Sequence, residues 1–395
     1  MKFLSFIKKI IVKIAKLILK IMYYLSFDFV LKDIILFESN PDYSDNTKYV
    51  FEELVNRKVN EKVKMIWFVK NKDLYKNINY KNVYFLNRNT FKEKLVFLYY
   101  NMFSRYIIDC NNYILKLNKH QFRLHLTHGS PVKIIKEYCN ACGKVDYLVS
   151  ASKEFNDAYS KYYKIDKKYI LNEDLPRNDV FYKKNKYKDI IDFKGKKIIW
   201  VPTYRNNKND MFNNHEDLQF KYGIPCIKNE KELVELNKLL KKNNILLVIK
   251  LHPAEDTKKL LEVNLDNIRL LKNEELSNNN MTIYDELPYF DAMISDYSSL
   301  YYDFLVSKKP LALAIPDFED YKKNFNLMYD DMQNHLPAYY IYNFDDLTKF
   351  INNIAKGIDE NKKERLDAIN KYTTYNDGNS SKRIADLIIN KIKER

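Results

Sequence analysis

Two histidines occupy positions from which a side chain can act as a base on a bound substrate. His128 stands beside Gly129, just after the short run Arg123–Leu126, which is predicted to form a strand. His252 precedes Pro253, which ends a second predicted strand and directs the histidine to the mouth of a sheet. Histidine suits general base chemistry near neutral pH. Taken alone, His128 is also compatible with an ordinary loop histidine, and His252 with a histidine of the core.

Donors suited to an anion follow two other apolar runs. Thr203 and Arg205 come after one run, and arginine offers a fork of N–H groups to a phosphate. Ser298 and Ser299 come after the other, where a helix is predicted to begin with Ser298 or Asp296 as its N-cap. The Asp296 carboxylate is suited to orienting His252 or one of these donors. Free N–H groups at a helix start favour an anion. The alternatives are a solvated arginine and an ordinary capped helix.

The elements that position these residues alternate between strand and helix. Strands are predicted at Asp33–Phe37, Lys64–Val69, Val83–Leu86, Tyr106–Asp109, Arg123–Leu126, Tyr147–Ser150, Lys197–Val201, Ile245–Leu251, Asp291–Ile294 and Pro310–Ile315. Helices are predicted at Asn46–Asn56, Thr90–Phe103, Lys153–Tyr163, Glu230–Lys242, Leu300–Val306, Asp345–Lys356, Asn361–Lys371 and Ser380–Arg395. This alternation predicts an α/β protein with parallel sheets and crossover helices in two successive domains, joined by a lysine-rich linker at Tyr182–Lys196.

Composition narrows the function classes. A chain of 395 residues exceeds one typical core, which favours two domains. The formal net charge of +15 predicts an anionic partner. Six glycines form no glycine-rich phosphate loop, and four cysteines form no disulfide framework. The pair Cys139 and Cys142 lacks a second pair for zinc, and no carboxylate cluster has metal-ligand spacing.

The first 27 residues predict an amphipathic helix at a membrane surface. Within Lys2–Leu25, four lysines from Lys9 to Lys20 share one face, and isoleucines and leucines fill the other. A spanning helix would carry these lysines through hydrocarbon at about 2.5–3.5 kcal/mol each near the centre, whereas an interfacial helix gains from anionic lipid. The alternative is a helix packed on the protein itself.

The ordered set of short motifs resembles the teichoic-acid glycerophosphotransferases, which use CDP-glycerol or CDP-ribitol. The matching segments are His128–Pro131 (HGSP), Leu175–Asp179 (LPRND), Pro202–Arg205 (PTYR), Ile249–Pro253 (IKLHP), Ile294–Phe304 (ISDYSSLYYDF), Lys309–Pro310, Pro316–Asp317 and Asp377–Gly378 with Arg383. Two positions depart from the family pattern: Thr127 replaces a tryptophan and Asp174 replaces a glycine. The resemblance covers roughly residues 30 to 390.

The resemblance implies the GT-B architecture, in which two Rossmann-like domains face a cleft. It assigns residues 28–181 to an acceptor domain, 182–196 to the linker, 197–372 to a domain that binds the CDP-alcohol, and 373–395 to a helix crossing back. It also implies transfer of a polyol phosphate to a lipid-linked acceptor with release of CMP, at the cytoplasmic face of the membrane. The predicted catalytic residues are His128 and His252. The predicted substrate-binding residues are Gly129, Arg177, Thr203, Arg205, Asp296, Ser298 and Ser299.

No cofactor is required by the sequence, although a transient Mg²⁺ on the pyrophosphate is compatible with this chemistry. Two rival classes stay open at this point. One is a GT-B glycosyltransferase that uses a nucleotide-sugar for a cell-surface polysaccharide. The other is a non-catalytic basic protein, which is expected to show stripes of charge with interleaved aromatics. The lysines beyond the N-terminal face are dispersed instead, so we expect no nucleic-acid partner.

Overall fold

The computed structural model describes residues 30–111, 114–133, 144–183, 187–203, 220, 222–251 and 265–394. Several predictions from the sequence lie outside these residues. They concern the N-terminal helix, the pair Cys139 and Cys142, and the two site residues Arg205 and His252.

Seven parallel strands form the first sheet, in the order β3-β2-β1-β4-β5-β6-β7. They are β1 (Lys32–Glu38), β2 (Lys64–Val69), β3 (Val83–Asn87), β4 (Ser104–Asp109), β5 (Phe122–His125), β6 (Tyr147–Ser150) and β7 (Ile170–Asn172). The chain builds outward from β1 on one side and from β4 on the other. The carboxyl ends of β1 and β4 therefore flank the crevice where parallel sheets bind ligands.

Six parallel strands form the second sheet, in the order β10-β9-β8-β11-β12-β13. They are β8 (Lys196–Trp200), β9 (Ile245–Ile249), β10 (Ile268–Leu270), β11 (Ala292–Ser295), β12 (Leu311–Ala314) and β13 (Tyr339–Ile341). The strand order reverses between β8 and β11, which gives this sheet its own crevice. Two parallel sheets confirm the predicted α/β class.

Helices cover both sheets, and several begin at the caps that the sequence provides. Their bounds are α1 (Asp45–Asn56), α2 (Phe91–Phe103), α3 (Asn156–Tyr163), α4 (Glu230–Lys242), α5 (Asn273–Ser277), α6 (Ile283–Glu286), α7 (Leu300–Leu305), α8 (Phe318–Asn324), α9 (Met332–His335), α10 (Phe344–Lys356), α11 (Lys362–Tyr372) and α12 (Ser380–Lys393). Thr90 and Glu93 form a reciprocal capping box at α2. The Asn229 side chain accepts a hydrogen bond from the Glu232 amide at the start of α4.

The last helix of the chain packs on the first sheet. Ile384, Ala385 and Ile388 of α12 are buried in the same apolar cluster as Ile35 and Trp67. A polar anchor precedes this helix. The Asp174 carboxylate accepts hydrogen bonds from the backbone amides of residues 374, 375 and 376, at 2.6, 3.0 and 2.8 Å. Asp174 has φ +59°, a left-handed conformation, at a position where the resembling family has glycine.

A buried polar cluster joins α1 to α6 of the second half. The Lys48 ammonium donates to Asp285 Oδ2 at 2.7 Å, and the Tyr49 hydroxyl donates to Asp285 Oδ1 at 2.7 Å. Lys48 and Asp285 are buried. Separating these groups would leave a buried charge without its partner, which is costly in a low-dielectric interior. The cluster therefore fixes α1 against the second half at this point.

Candidate active site

The described site residues all follow the carboxyl ends of strands. His128 and Gly129 lie beyond β5 in the first sheet, and Thr203 lies beyond β8 in the second. Asp296 and Ser298 follow β11. Because β8 and β11 are the strands between which the order reverses, Thr203 and Asp296 stand directly at the crevice of the second sheet.

His128 projects into solvent while its Nδ1 is held by a carboxylate. Its side chain is 58% exposed, and Nδ1 hydrogen-bonds Oδ2 of the buried Asp45 at the start of α1. Burial raises the pKa of Asp45, but Arg177 and His128 outweigh it and lower that pKa to about 2. Asp45 is therefore a carboxylate at neutral pH and accepts this hydrogen bond, so Nδ1 is the donor. In the neutral imidazole that tautomer leaves the lone pair on Nε2.

Arg177 is fully buried between the two halves of the molecule. Its Nη1 donates to Asp45 Oδ1 at 2.7 Å and to the His128 carbonyl at 2.9 Å. Its Nε and Nη2 donate to the two carboxylate oxygens of Asp303 on α7, at 3.1 and 2.7 Å. The guanidinium also lies 4.4 Å from the centroid of the Tyr284 ring. The Arg177 side chain thus joins the loop of His128 and Gly129 to α7, the helix that follows Ser299.

Gly129 allows the two loops to touch. Its φ is +135°, and a β-carbon built on it would lie 2.7 Å from Arg177 Nη2 and 2.8 Å from Ser299 Oγ. Real β-carbons do not approach other atoms so closely, so only glycine fits here without movement. The Tyr159 hydroxyl of α3 donates to the Gly129 carbonyl at 2.8 Å and holds the loop from behind.

Asp296 holds Thr203 in place at the crevice of the second sheet. The Thr203 amide donates to its Oδ2 at 2.8 Å, and the Thr203 hydroxyl donates to Oδ1 at 2.5 Å. Asp296 is buried, and its two hydrogen bonds hold residues 201–203 after β8. The partly exposed Ser298 accepts a hydrogen bond from the Leu300 amide at 3.3 Å. Ser299 is the N-cap of α7 and makes no side-chain cap bond there.

Two residues of this site, Asp45 and Asp303, were not predicted from the sequence. Asp45 reads as a cap at a helix start, because Ser44-Asp45-Asn46 has the composition of one. Its position after β1, the strand at the crevice of the first sheet, was the available signal. Asp303 lies within a motif that the sequence singled out, but its partner Arg177 is 126 residues away, and no spacing rule links the two.

No group of three or more histidine, cysteine or acidic side chains with the geometry of a metal site occurs in the described part of the chain. Across the same residues, no helix combines the length and the apolar character needed to cross a bilayer.

Both parallel sheets carry polar residues at the carboxyl ends of their strands. The histidine loop (His128 and Gly129) meets the serine loop (Ser298 and Ser299), and together they define a two-part, transferase-like site. Residues 20–390 match the family model described as CDP-Glycerol:Poly(glycerophosphate) glycerophosphotransferase. The chain belongs to this family.

Relatives and a solved structure agree with that membership. The chain is 23% identical over 398 residues to a teichoic acid poly(glycerol phosphate) polymerase of Bacillus spizizenii, covering 90% of this chain and 92% of the relative. It is 27% identical over 261 residues to a teichoic acid glycerol-phosphate primase of Bacillus subtilis, covering 65% of this chain and 61% of the primase. The fold matches the structure of the wall teichoic acid polymerase TagF with a TM-score of 0.72 at 22% identity, over 100% of this chain and 97% of that one.

Proposed function

We propose that this protein transfers glycerol phosphate, or a related polyol phosphate, from a CDP-alcohol to a hydroxyl of a lipid-linked acceptor in teichoic-acid or capsular polymer synthesis. The observation that carries the proposal is the contact between the loop of His128 and Gly129 and the loop of Ser299. The loop that carries the base of one half therefore meets the loop that carries hydroxyl donors of the other, as an in-line transfer between two bound substrates requires.

His128 acts as the general base in this proposal. Nε2 takes the proton of the acceptor hydroxyl as its oxygen attacks the β-phosphorus of the donor. A new P–O bond forms, the P–O bond to CMP breaks, and CMP leaves. Asp45 orients the imidazole and stabilises the positive charge that it gains, because the carboxylate is held ionised by Arg177.

The second crevice binds the donor. Ser298 and Ser299 supply hydroxyls to the pyrophosphate, with Arg205 and His252 from outside the described residues as further partners. Thr203 lines this crevice with its hydroxyl donated to Asp296. Asp296 acts by holding Thr203, since both of its carboxylate oxygens accept hydrogen bonds from that residue. The sequence analysis expected Asp296 to orient His252 or one of the loop donors, and Thr203 is such a donor.

Arg177 is proposed as a positioning residue. The resemblance implied contact with substrate, but its guanidinium is buried and bonded to Asp45, Asp303 and the His128 carbonyl. It sets the separation between the base and the serine loop. Gly129 likewise serves the approach of the two loops rather than holding a substrate by a side chain.

The architecture in this proposal is GT-B, with residues 28–181 as the acceptor domain and 197–372 as the donor domain. Residues 182–196 link them, and 373–395 cross back. The packing of α12 on the first sheet supports that crossing. Residues 1–27 hold the enzyme at the cytoplasmic face of the membrane through anionic lipid. The proposal needs no nucleic acid, and Mg²⁺ enters only as a transient partner of the pyrophosphate.

The test is product release from defined donors. The purified full chain is incubated with a lipid-linked acceptor and, separately, CDP-glycerol, CDP-ribitol and a panel of nucleotide-sugars. We expect CMP release from a CDP-alcohol, dependent on acceptor, together with a phosphodiester in the lipid product. Nucleoside diphosphate release from a nucleotide-sugar alone would establish the rival glycosyltransferase instead. Added chelator reports whether Mg²⁺ takes part.

A further inference from the structure

Lys250 is a half-buried cation that the site described above does not use. It follows β9 directly, at the carboxyl edge of the second sheet, one strand from β8 and Thr203. Burial lowers the pKa of its ammonium, and Glu274 opposes that shift. Its ammonium makes one hydrogen bond within the described residues, to the neighbouring Leu251 carbonyl at 3.5 Å, the limit of such a bond.

Other shielded lysines in the described ranges are well paired. Lys48 contacts Asp285 at 2.7 Å, and Lys116 contacts Asp146 at 2.7 Å. Lys309 is the best comparison, because burial also lowers the pKa of its ammonium. It donates to the carbonyls of residues 288 and 290, at 2.7 and 2.5 Å. Lys309 precedes β12 and so lies at the opposite edge of the sheet, away from the crevice.

The alternation of side chains along β9 sets the face on which Lys250 lies. Leu246 and Val248 belong to the apolar cluster that contains α7 and residues of the first half. Leu247 and Ile249 belong to the cluster on the other face. By the period of two, Lys250 falls on the side of Val248, the face of the sheet turned towards the first half.

A second polar group lies in the same cross-strand row. Trp200 pairs with Ile249 and Ile294, and the row beyond it contains Lys250, Val201 and Ser295. Ser295 is fully buried, and among the described residues its hydroxyl has no hydrogen-bond partner. Buried hydroxyls are nearly always bonded, so this row has unused hydrogen-bonding capacity at the crevice where the strand order reverses.

We infer that Lys250 is a further ligand of the donor's pyrophosphate, binding it from the β9 side of the crevice while Ser298 binds it from the β11 side. The inference rests on the proposed function and deepens its donor site. A half-buried ammonium with one marginal hydrogen bond is costly to keep charged, and an anion in the crevice removes that cost. The resulting charge-assisted bonds are stronger than neutral ones.

The test is calorimetric titration of CDP-glycerol and of CDP into the full-length wild type, Lys250→Ala, Lys250→Arg and the control Lys309→Ala. We expect Lys250→Ala to weaken both ligands by about tenfold or more, since both carry the pyrophosphate. Lys250→Arg should retain part of the affinity because it retains the charge. Lys309→Ala should lower the melting temperature and leave both affinities unchanged.

The outcomes separate this inference from the function on which it rests. Wild-type protein that fails to bind CDP-glycerol would remove the proposed function itself. Wild-type binding that persists unchanged in a folded Lys250→Ala variant would overturn only the role of Lys250. Sedimentation with vesicles of anionic phospholipid provides the last arm. A loss of vesicle binding in Lys250→Ala, with CDP affinity intact, would assign the lysine to lipid headgroups and overturn the inference.

Discussion

Gly129 and Ser299 are in direct contact across the two halves of the molecule, with room at residue 129 for no atom beyond the backbone. A β-carbon there would stand 2.8 Å from Ser299 Oγ and 2.7 Å from Arg177 Nη2. The position of the histidine loop relative to the serine loop is therefore set by a missing side chain.

Gly129→Ala should lower turnover at least about tenfold, because a displacement of about 1 Å at a reacting centre carries such a cost. Gly357 provides the matched control. It also has positive φ, +73°, but a β-carbon there meets no atom within 4 Å. Gly357→Ala should lower stability only, through backbone strain. Steady-state kinetics and thermal melting compare the two, and equal turnover in both variants would dismiss the contact as a determinant of catalysis.

His128→Ala should reduce turnover by about 10²–10⁴-fold, the range for loss of a general base. Donor affinity should stay near the wild-type value, because His128 belongs to the first half. Asp45→Asn should also reduce turnover, since an amide does not stabilise the developing imidazolium as a carboxylate does. Rapid-quench turnover and calorimetry of CDP-glycerol check both variants. A folded His128→Ala variant with normal turnover would remove the residue from the mechanism.

Arg177→Lys should lower turnover while leaving the KM for the donor nearly unchanged. Lysine retains the charge, but its single ammonium cannot replace the arginine fork, which bonds both oxygens of Asp303 and Oδ1 of Asp45 at the same time. Arg365 is a matched control, since it is also buried and bonds both oxygens of the nearby Asp359, at 2.6 and 2.5 Å. Arg365→Lys should lower the melting temperature without changing turnover. If both variants lose turnover in proportion to stability, Arg177 has only a structural role.

Glu38→Gln should stabilise the protein at alkaline pH. Burial, and then the charge of Asp109, raise the pKa of the Glu38 carboxyl from 4.5 to about 8. A raised folded-state pKa gives stability that is present below the unfolded value and is lost as pH rises through about 8. The neutral glutamine avoids that loss, so the variant should melt higher than wild type at pH 9 and show little gain at pH 5. Exposed Glu235→Gln changes the same charge and should have no such pH dependence. If the difference in melting temperature between Glu38→Gln and wild type is the same at pH 5 and pH 9, the raised pKa of Glu38 is disproved.

Removal of residues 1–27 should abolish binding to anionic vesicles while turnover of a soluble acceptor analogue persists. The lysine face of this segment gains about 1 kcal/mol per basic residue near an anionic surface, and salt screens that gain. Sedimentation at low and high ionic strength measures it, with neutral vesicles as the reference surface. Undiminished binding by the shortened protein would place the membrane contact elsewhere.

Most of the fold follows from the sequence because its signals are local. The strand Lys64–Val69 and the helix Glu230–Lys242 have the predicted bounds, since an unbroken apolar run and a strong cap mark them. The strands Ile268–Leu270 and Tyr339–Ile341 were missed, because three residues at a sheet edge show no periodicity.

The individual residues of the candidate site could be predicted from the sequence, but the contacts between them could not. His128, Ser298 and Ser299 are indicated by their residue types and by their positions at strand ends. That Asp296 holds Thr203, and that Arg177 is enclosed by two carboxylates, depends on contacts between segments 93 and 126 residues apart. Such pairings are set when the two halves pack. The resemblance therefore placed Arg177 among the substrate-binding residues, and no local signal showed which donor Asp296 would hold.

The helix α12 gives the first sheet a dependence on the order of synthesis. Ile384 and Ile388 fill the apolar face beside β1 and β2, although those strands leave the ribosome more than 300 residues earlier. The nascent first half therefore waits with an uncovered apolar surface while the second half is translated. Nonsense or frameshift mutations late in the gene should consequently yield aggregation-prone protein, and a tag fused near residue 388 should disturb the half that was made first.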